Sequence, residues 1–217
     1  MAQVVRVSVT QSGGRRQELV ARGRRLEYLT LAWNTFEAAV ALASGVVANS
    51  VALLGFGLDS AIETASAVVL LWRLRTESDA ARRERTARRL VAICFLLLAG
   101  YVAVASIRDL WLREAPARSA PGMLIAAAAV VVMPLLARAK RRVAAELGSR
   151  ALHSDSKQAD FCAYLSAILL VGLALQFALG WWWADPIAAL IMAPIIAHEG
   201  LQALRGQVCD DCNPQGN

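Results

Sequence analysis

The chain has 217 residues, 57% of them hydrophobic, with mean hydropathy +0.46 and a formal charge of +6. Soluble domains average about 45–50% apolar residues, so this excess points to a membrane protein. The positive charge does not indicate nucleic acid: the arginines gather in short segments between long apolar runs, as in the cytoplasmic loops of a multi-pass protein.

A membrane-crossing helix needs about 20 mostly apolar residues. Six such stretches are expected, over about 28–48, 51–72, 90–107, 123–137, 159–179 and 185–204. The fold expected is therefore all-α, with six transmembrane helices. The segment before the first helix carries Arg6, Arg15, Arg16, Arg22, Arg24 and Arg25. The second–third connection is rich in arginine from Arg73 to Arg89, and the fourth–fifth carries Arg138, Lys140, Arg141, Arg142 and Arg150. On the opposite side only Arg108, Arg113 and Arg118 appear. This asymmetry predicts both termini cytoplasmic. Residues 1–25 then form a basic cytoplasmic segment, 26–205 the transmembrane domain, and 206–217 a short cytoplasmic tail. No cleavable leader is recognisable at the start. The run "GWWW", Gly180 to Trp183, suits the outer interface, where tryptophan is favoured.

The second helix raises the chemical question. Asp59 and Glu63 stand four residues apart in "GFGLDSAIETAS", and no Lys or Arg occurs between Arg25 and Arg73. If that helix starts near Val51, the two acids lie about 12 and 18 Å inside a hydrocarbon layer about 30 Å thick. Each acid at such depth costs about 2.5–3.5 kcal/mol on the insertion scale. Residues i and i+4 share one helix face. Two carboxylates there repel unless a cation or proton lies between them, and carboxylate oxygens are natural ligands for a divalent cation. The structural alternative is a mutually protonated or solvated pair at a helix interface. Glu37 in the first helix, one turn after Asn34, is a third intramembrane acid: it could join the site, carry a proton or, as the leading reading, hydrogen-bond to a neighbouring helix. Asp185, followed by Pro186, reads as a helix cap. His198 and Glu199 are expected at the cytoplasmic interface, titrating in water.

The chain resembles the cation diffusion facilitator family of divalent-metal transporters. The residues that carry the likeness are "NSVALLGFGLDSAIETAS" in the second helix, "SRALHSD" before the fifth and "GWWWADPIAALIM" entering the sixth. The resemblance implies efflux of Zn2+ or another divalent metal as the transported ligand, in exchange for protons, by a carrier in the plasma (inner) membrane with no prosthetic group. Asp59 and Glu63 fall on the family's second-helix ligand pair, usually Asp and Asp. In the fifth helix the usual His-x-x-x-Asp becomes Gln158 and Cys162. Asp155, Gln158 and Cys162, spaced i, i+3, i+7, share one face; Asp160 points elsewhere and His153 lies off the stripe. The metal ligands expected are thus Asp59 and Glu63 with some combination of Asp155, Gln158 and Cys162. A thiolate binds zinc well, although free cysteine is more commonly just a small buried hydrophobe. The family's homodimer commonly uses a cytoplasmic domain after the sixth helix; without one, pairing through the membrane helices, or none, is expected.

Cys209 and Cys212 in the tail "CDDC" offer a soft-metal or redox pair, or an unremarkable reduced end. The arginine-rich connection suits contact with acidic lipid, or simply a solvated helix extension. No Ser/His/Asp set and no H-E-x-x-H motif is present, so no enzyme is expected. A membrane metal sensor or modulator that binds without moving its ion is the competing reading.

Overall fold

A computed structural model describes residues 2–73 and 80–205. Six helices follow in order: α1 Ala2–Ala48, α2 Val51–Arg73, α3 Ala80–Leu112, α4 Ala120–Leu147, α5 Arg150–Leu179 and α6 Ala184–Arg205. No strand occurs among the described residues. All six contain stretches long and apolar enough to cross a membrane.

The apolar cores of these helices match the expected spans, but four helices run on at the arginine-rich end. Helix α1 continues through the basic segment, α3 begins at Ala80, α4 ends only at Leu147, and α5 already begins at Arg150. Arginine and lysine are good helix formers, so a charged flank extends a helix without difficulty. Ser119 and Ser149 set the starts of α4 and α5, their hydroxyls accepting from Gly122 N at 3.1 Å and Leu152 N at 3.4 Å. Gly148 and Gly180 end the same helices in the left-handed conformation, at φ 62° and 67°.

Helices α1, α2, α4 and α5 pack as a bundle, and α3 lies along α6 beside it. The α1–α2 hairpin is tight. A Cβ on Gly57 would stand 2.9 Å from the backbone nitrogen of Leu42, so only glycine permits this approach. The core is filled by side chains such as Phe56, Phe95, Met133, Leu165, Leu169 and Met192. Large apolar side chains on every helix face outward, among them Phe36, Leu97, Val104, Leu124 and Val171. Asn34, Glu37, Asp59 and Glu63 face inward. This is the polarity of a protein whose solvent is lipid.

Candidate metal site

Two anchors fix the register around α2. At its start, Asp185 of α6 reaches across: its Oδ1 accepts from Ser50 Oγ at 2.5 Å and its Oδ2 from Ala52 N at 3.4 Å. Asp185 is a cap, as its sequence suggests, but for the helix beside its own. The second anchor is the close α1–α2 contact, which brings Asn34 and Glu37 level with Ser60 and Glu63.

Glu63 is held from two sides. Asn34 Nδ2 on α1 donates to its Oε2 at 3.0 Å, and Gln158 Nε2 on α5 donates to its Oε1 at 3.2 Å. Glu37 is more fully satisfied. Trp33 Nε1 donates to its Oε2 at 2.6 Å, Ser60 Oγ to its Oε1 at 2.7 Å, and the Cys162 thiol approaches the same oxygen at 3.5 Å. Glu37 therefore ties α1 to α2 and α5, in line with its leading reading.

Asp59 differs from both. It is fully buried, and neither carboxylate oxygen has a hydrogen-bond partner. It lies within mutual repulsion range of Glu37, Glu63 and Glu199. A buried polar atom left without a partner costs about 1–3 kcal/mol, and more when charged. Hence Asp59 is the position where a cation would gain most.

Of the residues expected as ligands, the fold brings together Asp59, Glu63, Gln158 and Cys162. Asp155 is engaged elsewhere. It pairs with Lys140 of α4, whose Nζ also lies 3.3 Å from Glu27 Oε2 on α1. Asp160 pairs with Arg141 and stands off the stripe, as its spacing predicts. His153 is exposed. Cys209 and Cys212 lie outside the described residues.

Contrary to expectation, Glu199 is not open to water: it is 9% exposed, and its Oε2 has no partner. His198 beside it is indeed outward, with Nε2 2.8 Å from Gln202 Nε2. The signal available in the sequence was periodicity: Asp185, Ala189, Met192, Ile196 and Glu199 form one stripe on α6, all buried.

Among the described residues, no three His, Cys, Asp or Glu side chains form a ready-made metal cluster. Closing the acids on an ion requires side-chain rotation, with Glu63 exchanging its two amide partners for metal.

A family model described as the cation efflux transmembrane domain matches residues 28–208. The chain is similar to "Uncharacterized transporter sll1263" of Synechocystis, 28% identical over 173 residues, covering 76% of this chain and 56% of that protein. It is also similar to "Transmembrane protein 163" of Xenopus laevis, 26% identical over 188 residues, covering 84% of this chain and 66% of that protein. The chain thus spans less than two thirds of either relative's length.

Proposed function

We propose that this chain, which belongs to the cation efflux family, carries a divalent metal cation, Zn2+ in the first instance, across the membrane in exchange for protons. The observation that carries the proposal is Asp59, fully buried with both oxygens unpartnered, one turn from Glu63 in an apolar helix.

The arginine asymmetry orients the chain with both termini cytoplasmic. The ion enters from that side between α2 and α5, passing Asp155, and is bound by Asp59 and Glu63 with Gln158 and Cys162. Metal ligands must be deprotonated, so protons arriving from the far side compete for the same acids and release the ion. Metal affinity therefore falls as pH falls.

Flux of Zn2+ into vesicles containing the purified full chain tests this. Asp59→Asn and Glu63→Gln are each expected to abolish transport while leaving the elution profile and thermal unfolding intact. Undiminished flux in the double variant refutes the proposal. Metal binding with no flux in the unaltered protein identifies a sensor instead.

A further inference from the structure

We infer that Glu199 of α6 is a further ligand of the transported cation, so that the site draws carboxylates from two helices, α2 and α6. The inference rests on the transport reading above and adds to its ligand set.

Register places Glu199 at the right depth. The contact of Asp185 with Ser50 aligns the first turn of α6 with the first turn of α2. Counting from that contact at 1.5 Å per residue, Glu199 lies about 21 Å along α6, while Asp59 and Glu63 lie about 14 and 20 Å along α2. The three acids thus occupy one zone.

Orientation agrees. Glu199 continues the buried stripe that begins with Asp185, and Asp185 faces α2. The next residue, Gly200, is turned toward α3: a Cβ there would meet Ala92 O at 3.1 Å and the side chains of Phe95 and Leu96. Successive helix residues diverge by about 100°. Glu199 is consequently turned about 100° from the direction that faces α3.

The unpartnered atoms face a common need. Glu199 Oε2 and both oxygens of Asp59 are buried without hydrogen-bond partners. Among the described residues, neither acid is joined to a basic side chain by an ion pair. The remaining acids nearby are already engaged: Glu37 by Trp33 and Ser60, Glu63 by Asn34 and Gln158. A divalent cation that bonds to oxygen satisfies Asp59 and Glu199 together, which no side chain in contact with them does.

The test uses the full chain in detergent with Co2+, whose visible spectrum reports its ligands. Glu199→Gln is expected to weaken Co2+ binding at least ~10-fold, the scale seen even for residues one layer removed from a metal, and to shift the ligand-field bands. Glu199→Asp keeps the carboxylate and recovers much of the affinity. His198→Ala, outward-facing, leaves affinity and bands unchanged. Native affinity and spectrum in Glu199→Gln, alongside loss of binding in Asp59→Asn, overturn the assignment of Glu199 and leave the transport reading standing. Native binding and flux in both Asp59→Asn and Glu63→Gln overturn the transport reading itself. Should Glu199→Gln fail to fold, anomalous scattering from Co2+ in crystals of the unaltered chain decides: a peak at bonding distance from Glu199 supports the inference, and a peak bonded only to α2 and α5 ends it.

Discussion

The Cys162 thiol stands 3.5 Å from Glu37 Oε1, joining α5 to α1 beside the acids of α2. Cys162 is fully buried, and it lies within electrostatic range of Glu37, Glu63 and Asp59. A sulfur in such company bears on which metal is chosen. Thiolates favour zinc and softer ions, whereas carboxylates alone suit manganese and harder ones. Cys162→Ser should therefore weaken Zn2+ and Cd2+ binding while sparing Mn2+, lowering the Cd2+/Mn2+ affinity ratio about tenfold or more. Competitive titration of the three ions checks this. An unchanged ratio reduces Cys162 to a core residue.

Gln158 offers the complementary test. Its amide donates to Glu63 Oε1 at 3.2 Å, at the position where the resemblance leads one to expect histidine. An amide oxygen is a poor zinc ligand and an imidazole a good one. Gln158→His should raise Zn2+ affinity by about tenfold, and tighter retention should slow release, so flux at saturating metal should fall. Affinity and flux moving in opposite directions is the diagnostic result. A variant with neither altered places residue 158 outside the ion's reach.

Much of this arrangement was legible in the sequence, for identifiable reasons. The six spans follow from run length and hydropathy, and Asp59 and Glu63 stand out because no base lies anywhere near them in the chain. Gln158 and Cys162 come from the fifth-helix ligand positions that the family resemblance implies, not from spacing alone. Helix geometry then adds Asp155 to their face, and the fold engages Asp155 elsewhere. What decides Asp155 is Lys140, and Lys140 had been counted as a loop charge because the fourth span was expected to end near Ala137. Hydropathy marks where lipid ends, whereas helix α4 continues for a further ten residues beyond that point. The burial of Glu199 escapes the sequence for a related reason. An acid beside a histidine, six residues before Arg205, reads as interfacial unless the partner helix is known. Contact between α6 and α2 is a tertiary fact that one helix's composition does not encode.

The cap that crosses from α6 to α2 should be measurable as stability. Asp185 is 1% exposed and satisfies Ser50 Oγ and the first-turn amide of Ala52. Asp185→Ala leaves those donors buried and unpaired, and removes a negative charge from the positive end of a helix. The expected loss is about 2 kcal/mol. Asp185→Asn retains one acceptor and should lose roughly half as much. Thermal unfolding in detergent distinguishes the two. Equal midpoints for Asp185→Ala and the native chain show that the cap contributes nothing.

Lys140 sets the last prediction. Its side chain is fully enclosed, yet it ends on Glu27 and Asp155, whose side chains are 39% and 35% exposed. The network joins α1, α4 and α5 at the arginine-rich end. Removing a buried cation from between two acids is more harmful than the pair's net worth, because the acids are left facing each other. Lys140→Met should therefore destabilise the fold by about 2–3 kcal/mol, below the range for fully enclosed pairs because water reaches both carboxylates. The triple variant Lys140→Met, Glu27→Gln, Asp155→Asn removes the repulsion along with the cation and should recover most of that loss. Its Zn2+ affinity should match the native value, since Asp155 is engaged by Lys140 rather than by the ion. Recovered stability with markedly weakened Zn2+ binding would instead return Asp155 to the ligand set, with Lys140 holding its place until the metal arrives.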